Sequence, residues 1–280
     1  MRHRFVYLVL LSTGSPLCQA HQGHVAALSG LNERLASAPA AADLFVKRAR
    51  LYLHAQAYGP ATADARKALE LDSGHPDARL CLARIWSETD RLPEALEVLD
   101  RLIAEQSRHY SARLERARVL SKQGDHLAAT DEYDRLINSY PTDLKPLPEH
   151  YVERAKACAA SGNDQVDRAL HGLEAGLQRL GPLVSLQSTA LDIERNSGRT
   201  EAVLQRLETL IASSARKDPW LVQRGDCLFE AGDADAARTA YLEAICHFNA
   251  LPRSRQAVPA NRAHQQRLLA ALQTVATHSE

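Results

Sequence analysis

Four basic side chains stand at matching places in the chain. Arg50, Arg84 and Arg118 recur every 34 residues, and Lys156 follows after a further 38. Four residues before each comes an aliphatic side chain, namely Val46, Leu80, Leu114 and Val152. On an α-helix a separation of four places two side chains on one face, so each pair joins a cation to an apolar patch. The chemistry open to such pairs is non-covalent: guanidinium and ammonium groups grip carboxylates through charge-assisted hydrogen bonds, while aliphatic groups cover apolar surface. The same cations could instead pair internally with carboxylates such as Glu88, Glu115 or Glu153 and fix the angle between helices.

Covalent and metal chemistry find little footing. The sequence holds no Gly-rich phosphate loop, no H-E-x-x-H and no nucleophile elbow. Ser214 to Lys217 spells S-x-x-K, but the companion motifs of that chemistry are absent and the string is read as chance. Twelve histidines are scattered singly; His21 and His24 could hold copper at a processed amino terminus, although solvated tail residues are the plainer reading. Cys18, Cys81, Cys158, Cys227 and Cys246 show no C-x-x-C spacing, so a zinc site is unsupported. A Cys227–Cys246 disulfide is permissible in an exported chain, and small buried thiols are the simpler alternative. No catalytic residue, metal or cofactor is expected.

The elements that carry the basic column are helices. Ala and Leu abound and aromatics make up 5% of the 280 residues, a composition suited to close-packed helices. Ala49, Ala83 and Ala117 fall 34 apart, as do Ala61, Ala95 and Ala129, and Tyr52, Trp86 and Leu120 form a third column. A fixed period of this length marks stacked units that bury their apolar faces against one another. After Pro141 the spacing slips, with Ala155 following Ala117 by 38 residues. A fourth unit reads Ala155, Cys158, Gly162, Ala169 and Leu173, with about two extra residues between Asn163 and Val166. A fifth reads Ala190, Ile193, Gly198 and Ala202, and a sixth Gly225, Leu228, Gly232, Ala237, Tyr241 and Ala244.

The two ends differ. Arg2 and Arg4, the apolar run Phe5 to Leu11 and Cys18-Gln19-Ala20 have the order of a secretory signal cleaved before His21, and the run is too short to span a bilayer. A periplasmic or secreted location without stable membrane insertion is expected. Leu28, Leu31 and Leu35 suggest a helix covering the first unit, and Leu268, Leu269, Leu272 and Val275 one closing the last.

Over residues 42–250 the repeated columns resemble the tetratricopeptide repeat. The unit at 110–143 matches best, with Ala117, Gly124, Ala129, Tyr133 and Pro141. Ser73 and Ser107 depart from that pattern where proline is usual, and Leu102 and Leu136 where alanine is usual. The resemblance, of bacterial type, implies an all-α, right-handed solenoid of about six helix-turn-helix repeats. Its segments are a signal at 1–20, a capping segment at 21–41, three regular units at 42–143, three less regular ones at 144–250 and a capping helix at 256–278. It also implies that the first helix of each repeat lines a concave groove in which Val46, Arg50, Leu80, Arg84, Leu114, Arg118, Val152 and Lys156 meet a ligand. Arg50 at the first of these cationic places, and no Asn among the eight, set the chain apart from the chaperone-binding subclass.

The reading is therefore a non-catalytic envelope scaffold that offers a protein or peptide, more readily an acidic one, an aliphatic floor and a basic ladder. Nucleic acid is disfavoured, because 34 basic residues balance 34 acidic ones and no aromatics interleave the cations. Competing readings are an assembly subunit acting through its convex side or ends, and a metal-linked envelope protein.

Overall fold

The computed structural model describes residues 16–278, with side chains from 25 to 277. The apolar run and basic start expected of a signal lie outside the described residues; Cys18 to Ala20 fall inside the first helix. Every regular element among the described residues is helical, and the chain divides into two units on either side of Pro146 and Leu147.

The first unit runs α1 (Pro16–Ser37), α2 (Ala42–His54), α3 (Tyr58–Leu71), α4 (Pro76–Glu88), α5 (Leu92–Glu105), α6 (Tyr110–Gln123) and α7 (His126–Ser139). The pairs α2/α3, α4/α5 and α6/α7 are hairpins. Their boundaries follow local chemistry. Pro76 and Pro93 occupy the first two places of α4 and α5, where the missing N–H has no partner to lose. Asp125 Oδ1 caps α7 by accepting from the Ala128 N–H at 3.1 Å. The fifteenth residue of each hairpin makes the turn with positive φ, as Gln56 (57°), Asp90 (62°) and Gly124 (89°). Only the third carries the glycine that suits this conformation best.

Each hairpin closes over its small residues. Ala49, Ala83 and Ala117 on the first helices and Ala61, Ala95 and Ala129 on the second are all 0% exposed, which permits helix axes to approach to about 8–10 Å. α3 packs on α4 and α5 on α6, joining successive hairpins. First helices also touch directly, α2 with α4 and α4 with α6, whereas no comparable pairing joins α3, α5 and α7. The first helices thus crowd the inner side of this stack. Leu31 and Leu35 of α1 pack on Leu44, covering the open end of the first hairpin.

Buried ion pairs add register that the columns do not reveal. Arg48 grips Asp64 through two hydrogen bonds of 2.7 Å. Glu132, 2% exposed on α7, accepts from Arg113 at 2.7 Å and Arg116 at 3.0 Å on α6 and from Arg135 at 3.0 Å on its own helix. Arg116 also reaches Asp100 on α5 at 2.6 Å, tying three helices through one guanidinium.

The second unit runs α8 (Pro148–Ala160), a 3₁₀ turn (Asn163–Gln165), α9 (Val166–Leu180), α10 (Val184–Asn196), α11 (Thr200–Ser213), α12 (Asp218–Glu230), α13 (Ala234–Asn249), α14 (Arg253–Gln256) and α15 (Pro259–His278). The 3₁₀ turn holds the extra residues expected near Asn163. Ala155, Ala169 and Ala237 are 0% exposed. In the fifth hairpin the buried residue of the second column is Val203, 1% exposed, with Ala202 beside it half-buried. The expected places of Ala190 and Ala202 are therefore one residue early: α10 begins at Val184 and the turn glycine is Gly198, so Leu191 and Val203 stand where the small columns stand in the other hairpins. Leu268 and Val275 of α15 are buried against α13, while Leu269 is 47% exposed and points away from that contact. Cys81, Cys158, Cys227 and Cys246 are free thiols, the first three buried, so Cys227 and Cys246 form no disulfide.

Candidate functional site

The inner side of the first unit holds a cavity of about 460 Å³ walled by the ends of α2, α4 and α6. Its charged lining is Arg84, Arg118, Lys122, Glu88 and Glu115, with His54 and Tyr58 at the edge of the first hairpin. The helical repeat brings these together: Arg84 and Arg118 occupy equivalent places on α4 and α6, and α4 packs directly on α6.

Internal pairing shapes the site. Arg84 Nε donates to Glu115 Oε2 at 3.2 Å, and Glu115 is 7% exposed. Burial pushes the Glu115 carboxyl above the usual carboxylate range, against the opposing pull of the Arg84 and Arg118 charges. Lys122 donates to the Ser87 carbonyl at 2.5 Å, satisfying a C-terminal oxygen of α4, and stands 3.5 Å from Asp90. Cations outnumber carboxylates three to two in this lining. Cys81 nearby is pushed up to about 11 by burial, so it remains a neutral thiol rather than a nucleophile.

The expected ladder is only partly assembled. Arg84 and Arg118 share the cavity. Arg50, outside this lining, pairs with Asp77 of the next hairpin at 2.7 Å, which is the internal use of the basic column. Lys156 is exposed in the second unit and lines a separate cavity there. The aliphatic floor needs correction. Val46 and Leu80 are each 2% exposed, the former packed with Ala68 and Ala78 and the latter with Ala83, Ala95 and Leu99. Inter-hairpin packing consumes them, so a ligand cannot reach either. Leu114 and Val152 are half-buried.

A column outside the expected ladder contributes more. His54, Glu88 and Lys122 stand one helical turn after Arg50, Arg84 and Arg118, and all three line the cavity. Carrying the spacing of four one step further along each first helix would have found them. Among the described residues no three His, Cys, Asp or Glu side chains converge to hold a metal ion, and no helix is long and apolar enough to cross a membrane.

Comparison with known proteins places these observations. Family models described as tetratricopeptide repeat match residues 52–111 and 111–143. No curated protein sequence matches the chain. Among solved structures, a tetratricopeptide repeat protein from Parabacteroides merdae superposes with a TM-score of 0.54 at 14% identity, covering 92% of this chain and 95% of its own. The C-terminal part of a repeat-containing protein from Cytophaga hutchinsonii gives a TM-score of 0.63 at 12% identity, covering 85% and 96%. PilW, described as a widely conserved type IV pilus biogenesis factor, gives 0.59 at 18% identity, covering 72% and 93%. At such identities the likeness is one of fold.

Proposed function

The chain is a tetratricopeptide-repeat protein, and we propose that it acts as a non-catalytic scaffold whose first-helix face in the first unit captures an acidic protein or peptide segment. The observation that carries this reading is the cavity where Arg84, Arg118 and Lys122 meet at the inner ends of α4 and α6. An extended segment can lay its carboxylates against these cations while Tyr58 and Leu53 supply apolar contact. Because Val46 and Leu80 are closed off, charge complementarity has the larger share in recognition, and binding weakens as salt rises. The signal-like amino terminus supports an exported location, with a mature chain that begins at His21 on N-terminal sequencing; a mature chain that retains Met1 contradicts export.

The test of capture is fluorescence anisotropy with a labelled peptide rich in Asp and Glu. The variant R84Q/E115Q/R118Q removes two cations together with the buried carboxylate they flank, so no enclosed charge is left alone. Wild type binds in a salt-dependent manner and the variant about tenfold or more weaker, the scale of one lost charge-assisted contact. Equal affinity of the two proteins overturns the proposal.

A further inference from the structure

Three equivalent places in the first unit differ in kind. Arg48 on α2 grips Asp64 on α3 through two hydrogen bonds of 2.7 Å, and Arg116 on α6 donates to Glu132 on α7 at 3.0 Å. The repeat of 34 residues puts Leu82 of α4 and Val98 of α5 at the corresponding positions of the hairpin between them. Shorter, apolar side chains thus stand where both neighbouring hairpins hold an ion pair. At this place a cavity of about 360 Å³ is walled by α3, α4 and α5. It shares no lining residue with the cavity of Arg84 and Arg118. Leu69, Leu82, Trp86 and Val98 supply its apolar lining, and the half-buried Trp86 packs on the cores of the first and second hairpins together.

The polar lining narrows the occupant. Arg79 donates from Nη1 to Glu105 at 2.6 Å and from Nη2 to the Ser73 carbonyl at 3.0 Å, and Arg101 donates to Glu97 at 2.6 Å. Each cation of the lining has a carboxylate of its own, so no net charge calls for an ionised ligand. Those hydrogen bonds lie in the guanidinium planes and leave the flat faces, which stack on aromatic rings. The indole of Trp86 favours a ring as well, through offset or edge-to-face contact that adds to buried area. A cavity of about 150 Å³ is enough for benzene, so this one admits a larger ring or a ring with a short attachment. We infer that the cavity binds an uncharged aromatic ring among Leu82, Trp86 and Val98, with the Arg79 guanidinium against its face. A free aromatic compound and the Phe or Trp side chain of a bound segment share this chemistry. The site stands apart from acidic-segment capture, and a peptide of Asp and Glu without aromatic residues is no ligand for it.

The experiment is isothermal titration of the full chain with indole, acetyl-Gly-Phe-Gly-amide and its cyclohexylalanine counterpart, on wild type, V98F, L82R/V98E and W86L. V98F places a ring of the protein's own in the cavity, and L82R/V98E installs the ion pair that the neighbouring hairpins accommodate. Binding of indole or the phenylalanine peptide supports the inference when the phenyl ring is preferred to cyclohexyl by about threefold or more. V98F and L82R/V98E should each lose about tenfold or more. Indole alone identifies a free compound, and the peptide alone a side chain. W86L adds no bulk and should lose about threefold or more, so it tests the site even where a filling variant unfolds. No binding by wild type, equal or tighter binding of the cyclohexyl peptide, or unchanged affinity in V98F and W86L each overturns it. V98F keeps its capture of acidic peptide, so failure of this site is distinguished from failure of the first.

Discussion

Replacing Gly225 by alanine is expected to destabilise the second unit, against the ordinary behaviour of a glycine inside a helix. At a helix interior, Gly→Ala gains about 0.8–1 kcal/mol from propensity. Here an added Cβ would lie 2.4 Å from Cε1, 2.7 Å from Cδ1 and 2.8 Å from Cζ of Tyr241, where carbon atoms prefer about 3.5–4.0 Å. The ring would have to retreat by roughly 1 Å to restore that contact. Tyr241 is 2% exposed and its hydroxyl donates to Asp226 Oδ1 at 2.8 Å, so retreat breaks packing and a hydrogen bond together. Overpacking of this kind costs about 1–3 kcal/mol, which offsets the propensity gain and leaves a net loss of up to about 2 kcal/mol. Urea denaturation followed by far-ultraviolet circular dichroism reads the change. Gly30→Ala is the control, because nothing lies within 4 Å of a Cβ built there, and it should stabilise or do nothing. G225A as stable as wild type, or more so, would refute the close approach of α12 and α13 at this position.

Three further outcomes follow from the first unit. Glu132→Ala leaves Arg113, Arg116 and Arg135 around a vacated buried carboxylate site and should lower stability by about 3–5 kcal/mol, read as the shift in urea midpoint at constant slope. Ala83→Leu, at a position with 0% exposure, should cost about 1–3 kcal/mol; an unchanged melt would show that the small column is misplaced. For Glu115, whose folded pKa is raised above 4.5 by burial, the folded state holds its proton more tightly than the unfolded state does. Wild-type stability therefore falls, relative to E115Q, as pH rises from the unfolded carboxyl value through the raised folded one. Denaturation midpoints of both proteins across the acidic range check this, and a difference that stays constant or grows with pH contradicts it.

The hairpin architecture was legible because packing repeats itself. Ala49, Ala83 and Ala117 announce close helix contact wherever they occur, and the slip after Pro141 with the extra turn near Asn163 shows as altered spacing. The misplaced columns, Ala190 for Leu191 and Ala202 for Val203, belong to the one hairpin where larger side chains hold the buried places and so leave no small-residue mark in the spacing. The site was less legible, for a physical reason. A spacing of four fixes which residues share a helix face but not which part of that face a neighbouring helix covers. Val46 and Leu80 thus lie beneath the next hairpin, although Arg84 four residues after Leu80 reaches the cavity. Ion pairs such as Arg48 with Asp64 and Arg84 with Glu115 join residues 16 and 31 apart, separations that helix periodicity alone does not reveal.

The claim that matters most is that partners dock on the first helices of the first unit. A photoreactive benzoylphenylalanine at Glu88, in the cavity lining of α4, and another at Arg101, 71% exposed on the second helix α5, test it most directly with a labelled acidic peptide. Crosslinking from position 88 and none from position 101 is the expected result. Crosslinking from 101 alone, or equally from both, would contradict the account.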